Sequence, residues 1–252
     1  MDQTTEQSEH AGQTKKEFIA NRLIRLLLST QRPGIDRIIE WLGKMGFFDS
    51  PASTKYHGCY PGGLAEHSLN VYELLAEYNH KLRLGCPQES VVIAALLHDV
   101  CKVGAYISVG CGYSYNPAHP AGHAMLSLSI TKGFIELTEL EEKMIRYHMG
   151  VYGLKEFDER KGEYRLRGQD MANAWYHWPI VKVIYFCDEL ATLLEKAKES
   201  GEAGEGMQTL TGPPINIQEI AGHSVAVQSR AHIPEGAGST PAPANDELGA
   251  AH

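Results

Sequence analysis

The stretch VVIAALLHDVCK, residues 91–102, settles how the rest of the chain is read. Val91 to Leu97 is apolar on every side, so the segment belongs at the centre of a fold rather than on its surface. Pro87 stands where a helix opens and Gly104 where one closes, which makes the stretch a buried helix. His98, Asp99 and Lys102 cluster at its end, Lys102 one turn beyond Asp99 on the same side. Alone the His-Asp pair is weak evidence, because a chain with 12 histidines forms such dipeptides readily by chance. Its place at the end of a buried helix gives it weight.

Working outward, a loop rich in Gly, Pro and aromatics, Pro51 to Gly63, leads into a helix containing Leu64, His67, Val71, Leu74 and Leu75, with His67 in its first turn. On the other side a turn-rich connection, Gly110 to Gly122, precedes a helix from His123 through Phe134. Thr138-Glu139-Leu140-Glu141 has capping-box spacing for a helix ending at His148 and Gly150. The charged, Gly-containing segment Val151 to Gln169 reads as a long loop or lid. Pro179 starts a last long helix with Val181, Ile184, Tyr185, Asp188, Ala191 and Thr192 along one face. An Asp on that face needs a partner, since an unpaired buried carboxylate is costly.

Upstream, Phe18 to Leu28 and the segment from Pro33 to Gly46 have apolar helical faces. The expected fold class is therefore all-α. The chain divides into a disordered N-terminus (1–14), a helical N-terminal extension (15–49), a catalytic helical bundle (50–198) and a flexible tail (199–252). The apolar stretch Thr211 to Val227 is a candidate for docking on the domain.

The net charge of −8 sits mostly in the ends. Residues 15–198 hold 21 acids against 22 Lys and Arg, so the domain is near neutral. That suits a small anionic substrate in a local pocket and offers no basic stripe for a long nucleic-acid track. Five cysteines without a C-x-x-C pair do not form a disulfide framework or thiolate zinc site. No membrane span or signal peptide is apparent, which places the protein in the cytoplasm without membrane association.

His67, His98-Asp99 and Asp188 thus come from separate helices. The order H…HD…D on a helical bundle resembles the HD superfamily of metal-dependent phosphohydrolases. The resemblance rests on YPGGLAEHSLNVYELL (60–75), ALLHDVCK (95–102), GHAMLSLSI (122–130) and LTELEEKMIRYHMG (137–150), and spans roughly 50–195. These blocks are similar to bacterial and phage HD hydrolases and to the catalytic domain of YhaM-type 3′-to-5′ exoribonucleases. No N-terminal OB-type β-domain is apparent, which departs from the exoribonuclease pattern.

The resemblance implies that His67, His98, Asp99 and Asp188 bind one metal ion, that His123 and His148 bind a second, and that Asp99 bridges. Such ligands suit one or two divalent Mn, Fe, Co, Ni or Zn ions, about 3.5–4 Å apart, which activate a water for in-line attack on phosphorus. Asp99 and Lys102 are then the catalytic pair, with Lys102 neutralising a phosphoryl oxygen. Lys55 and Tyr60, in the loop before His67, are substrate-binding candidates alongside Lys102. The expected substrate is a phosphate ester of a nucleotide or related metabolite, a short oligonucleotide included. Two alternatives stay open: a mixed-valent diiron oxygenase using the same six ligands, and a non-catalytic nucleotide-binding sensor.

Blander roles compete at several positions. Lys102 could snorkel to solvent, Glu66 points about 100° away from His67 around the helix, and His57, His119 and His177 are not read as ligands. Trp175, Tyr176 and Trp178 anchor the last helix or, alternatively, stack a base.

Overall fold

Thr14 and Thr138 begin helices by the same device. Each threonine oxygen accepts the backbone N–H of the glutamate three residues on, Glu17 or Glu141, and that glutamate accepts the threonine N–H at 2.8 Å in return. The computed structural model describes residues 14–150, 155–158, 163–166 and 168–201, the two short strands 155–158 and 163–166 by backbone alone. The expectations for 1–13 and 202–252, including Thr211 to Val227, lie outside the described residues.

The described chain is all-α with two small hairpins. Helices α1 (Lys15–Ser29) and α2 (Ile35–Lys44) lead through a 3-10 turn (Phe47–Asp49) to α3 (Gly63–Lys81) and α4 (Gln88–Leu97). A second 3-10 turn (Val100–Lys102) precedes strands β1 (Tyr106–Val109) and β2 (Gly112–Tyr115), then α5 (His123–Lys132) and α6 (Glu139–Tyr147). Strands β3 (Lys155–Asp158) and β4 (Glu163–Leu166), α7 (Gly168–His177) and α8 (Pro179–Ser200) complete it.

Every residue of α4 from Ser90 to Leu97 is buried, as a segment without a polar face requires. It packs against α3, α6 and α1, while α8 closes the bundle across α3 and α6. The N-terminal helices share this core through Leu23, Leu27, Ile38 and Leu42. Arg32, in the connection between them, grips buried Glu141 with two hydrogen bonds of 3.0 and 2.8 Å. Gly34 holds φ +89° so close to Phe134 that a Cβ would stand 2.1 Å from its carbonyl oxygen, so only glycine fits.

Three segments differ from the sequence reading. The turn-rich connection Gly110 to Gly122 contains strand β2, which pairs antiparallel with β1 just before it, in register from Tyr106↔Tyr115 to Val109↔Gly112. Within the expected loop 151–169, the backbone pairs Lys155–Asp158 with Glu163–Leu166. Helix α7 follows at once, reaching His177 before Pro179 starts α8. Short strands and a ten-residue helix give too few periods for their pattern to stand out from charged loop sequence. Helix α8 also runs to Ser200, two residues past the expected boundary, and Glu199 accepts the Gly58 N–H at 2.8 Å. No described helix is long and apolar enough to cross a membrane.

Candidate metal centre

Asp99 stands just past the end of the central helix. Helix α4 stops at Leu97, His98 is its C-cap, and Asp99 has φ −109° and ψ 14°, a bridge conformation that turns the chain into the following 3-10 turn. His67 comes from the start of α3, His123 opens α5, His148 caps α6, and Asp188 lies mid-way along α8. The six side chains meet around Asp99.

The two oxygens of Asp99 divide the histidines. Oδ1 lies 2.8 Å from His123 Nε2 and 3.5 Å from His148 Nε2, whereas Oδ2 lies 3.4 Å from His98 Nε2 and 3.8 Å from His67 Nε2. Asp188 Oδ1 adds contacts of 3.0 Å to His67 and 3.8 Å to His98. Donor atoms of His67, His98 and Asp99 lie within 4.8 Å of one another, as do those of Asp99, His123 and His148, and of His98, His148 and Asp188.

Hydrogen bonds to Nδ1 orient three of these imidazoles. His98 Nδ1 lies 2.8 Å from the Ala95 carbonyl and His148 Nδ1 2.6 Å from that of Ile145. A carbonyl only accepts, so both Nδ1 atoms carry the proton and both Nε2 atoms keep a lone pair. Those two Nε2 atoms are buried without a hydrogen-bond partner, an arrangement that a cation resolves. His67 donates through Nδ1 to Glu195, 3.1–3.2 Å away, and Asn70 in turn donates to Glu195 at 2.7 Å. This is the carboxylate–histidine pairing that fixes a metal-binding ring.

The electrostatics favour positive charge. Burial works against the ionised forms of Asp99 and Asp188, yet Lys102 and the histidines around Asp99, and His67 beside Asp188, hold both carboxyls below the usual range. Burial likewise opposes charge on His67 and His123, but Glu195 and Asp188 raise His67 to about 10 and Asp99 raises His123 to about 9. Carboxylates that draw protons to these nitrogens draw a divalent cation to the same atoms. The donor set is nitrogen and oxygen without a thiolate at Asp99, so it fits Mn, Fe, Co, Ni or Zn.

Lys102 Nζ lies 2.6 Å from Asp99 Oδ2. Burial lowers its proton affinity, but Asp99 and Asp188 more than compensate, so the ammonium stays charged. Tyr60 is half-buried and donates to Glu66 at 3.0 Å, and Glu66 also pairs with Lys15. Lys55 is exposed, its ammonium 5.9 Å from the Tyr56 ring. Neither makes a described hydrogen bond or ion pair with the Asp99 cluster. Trp175 lies 6.3 Å from Tyr185 in a stacked arrangement and Tyr176 is exposed.

Sequence reasoning missed four neighbours. Glu195 was detectable, because Ile184, Asp188, Ala191 and Glu195 follow at helical spacing on one face. Cys101, with Sγ 3.1 Å from His123 Nδ1, carried no pattern of its own. Tyr106 joins from β1, its phenol raised by burial and by Asp99 although Lys102 pulls the other way. His57 is buried with its ring 4.7 Å from His67, and burial pushes it down to about 4 with the charge of His67 adding. His119 is half-buried and His177 is exposed.

Against known families, residues 64–174 match the HD domain. This chain carries an HD domain. Within the HD segment lie His67, His98, Asp99, His123 and His148, whereas Asp188 and Glu195 come from α8 beyond it. Over 92 residues, 35% of this chain, it is 33% identical to the 3′-5′ exoribonuclease YhaM of Geobacillus sp. (strain WCH70). The chain spans 28% of that relative's length. No solved structure matches.

Proposed function

We propose that this HD protein is a metal-dependent phosphohydrolase that cleaves a phosphate ester of a nucleotide or related metabolite. The observation that carries the reading is the division of Asp99: one oxygen faces His123 and His148, the other His67 and His98. In that geometry His67, His98, Asp99 and Asp188 would hold one divalent ion, and Asp99, His123 and His148 would hold a second. Bound there, such ions supply Lewis acidity and an activated water.

The remaining work falls to this chain's own residues. An ammonium has three donors, and Lys102 gives one to Asp99, so two are available to a phosphoryl oxygen. Burial strengthens that contact relative to water. Glu195 and the Ala95 and Ile145 carbonyls hold the imidazole rings in place. Lys55 and Tyr60, on the loop preceding α3, serve as the outer substrate contacts. Five free cysteines, Cys86, Cys101 and Cys187 buried, suit the reducing cytoplasm, where we place the activity.

The similarity to an exoribonuclease supports a nucleotide-containing substrate and leaves a short oligonucleotide 3′ end as the larger version of it. The deciding assay is phosphate or nucleotide release by Mn²⁺-loaded protein under anaerobic conditions, across mononucleotides, dinucleotides and short RNA. Turnover without oxygen supports the hydrolase. Substrate consumption only with iron and dioxygen, and no ester cleavage, identifies an oxygenase instead. Full metal occupancy with nucleotide binding and no turnover identifies a sensor.

A further inference from the structure

The four histidines around Asp99 each have Nδ1 engaged, but by partners of different kinds. His98 and His148 are C-caps of α4 and α6, where the last carbonyls of a helix lack intrahelical partners. Each takes the carbonyl three residues before it, so the helix that carries the ligand also orients it. His123 is denied this device. It is the first residue of α5, and a helix start presents N–H donors rather than free carbonyls. Its partner comes from the 3-10 turn: Cys101 Sγ, at 3.1 Å.

Cys101 is itself held in register with α5. Its backbone N–H donates to Ser127 Oγ at 3.1 Å, and Ser127 lies one turn beyond His123 on the same face. Cys101 is buried, whereas the His123 side chain is 30% exposed against 0% for the other three histidines. A ring with so little packing depends most on its hydrogen bond for orientation.

We infer that Cys101 is a positioning residue for the His123 side of the centre. Its sulfur accepts the Nδ1–H, keeps Nε2 as the lone-pair nitrogen beside Asp99 Oδ1, and thereby sets the affinity of the position formed by Asp99, His123 and His148. This rests on the two-ion reading above. The position formed by His67, His98, Asp99 and Asp188 draws its outer support from Glu195 and Ala95, so the two ions are held unequally and the His123-side ion is the exchangeable one.

The test is a Co²⁺ titration of the full chain after chelator treatment, following visible absorption and measuring bound metal after dialysis. The wild type takes two ions in two steps. Cys101→Ala retains the first and binds the second about 10- to 100-fold more weakly, the range for losing an outer partner of a metal ligand. Cys101→Ser, whose oxygen also accepts, restores most of the second affinity. Melting temperatures and first-ion affinity report whether each variant is folded. The inference is overturned if Cys101→Ala binds both ions as the wild type does, if it loses both together, or if Cys101→Ser is as weak as Cys101→Ala. A wild type that takes a single ion overturns the two-ion reading itself, before any variant is compared.

Discussion

Asp99 and Glu141 are both buried carboxylates, 1% and 0% exposed, with opposite surroundings. Glu141 is saturated by hydrogen-bond donors, with Arg32 approaching through two nitrogens, Ser90 Oγ at 2.7 Å and the Thr138 N–H at 2.8 Å. Asp99 stands among imidazoles, two of which keep unpartnered Nε2 atoms. A carboxylate whose neighbours are all satisfied is part of the framework. One whose neighbours still need a cation is part of a site, and burial alone does not tell the two apart.

The largest expected effect breaks the comparison at Asp99. Asp99→Ala removes the group facing both sets of histidines, so turnover falls below detection and bound metal drops in elemental analysis while the melting transition persists. A variant that hydrolyses substrate at even a tenth of the wild-type rate contradicts the bridging role.

Breaking the other carboxylate has the reverse signature. Arg32→Ala leaves the Glu141 charge buried without its ion partner and costs about 3–5 kcal/mol of stability in urea denaturation. Rate per folded molecule and metal content stay at wild-type levels. The pH dependence has a definite sign. Burial opposes the charge of Glu141, but Arg32, Ser90 and Thr138 hold its carboxyl below the ordinary value of 4.5. Its contribution is therefore present above about pH 4.5 and lost as the pH falls through the lower folded value. Urea midpoints of wild type and Glu141→Gln converge on acidification; a gap that widens there reverses the assignment.

Lys102→Ala sharpens the comparison within the Asp99 cluster. Loss of one contact to a phosphoryl oxygen lowers kcat by about 10²–10³. Both ions remain bound, which separates this effect from that of Asp99→Ala. A fall in metal content equal to the fall in rate would make Lys102 a support of Asp99 alone.

The smallest effect is expected from truncation after Gly201. It keeps Glu199 and its bond to Gly58 and removes no candidate ligand, so steady-state kinetics and metal content match the full chain. A soluble, metal-loaded truncation without turnover shows that the removed residues complete the active site.

Much of this was legible in the chain. The apolar run Val91–Leu97 announced a central helix, Pro87 and Pro179 marked the starts of α4 and α8, and Thr138 with Glu141 announced a capping box, because these signals act within a few residues. His67, His98, Asp99 and Asp188 stood out at helix ends and on an apolar face, and the resemblance to the HD superfamily named the full set with His123 and His148. Arg32 and Glu141 were not legible as partners, since 109 residues separate them. Cys101 reads as an idle thiol in the sequence because only folding brings the turn 100–102 against the start of α5.

By itself, then, the sequence determined an all-α chain with an HD-type set of histidines and aspartates, most at helix ends and Asp188 on the apolar face of a long helix. Periodicity, capping and residue chemistry are local properties, and local spacing carries them. Only the tertiary structure decided which oxygen of Asp99 faces which histidines, that Glu195 stands at Nδ1 of His67 and Cys101 at Nδ1 of His123, and that Glu141 belongs to the framework. Those are distances between side chains on different helices, and they exist only once the core around α4 has packed.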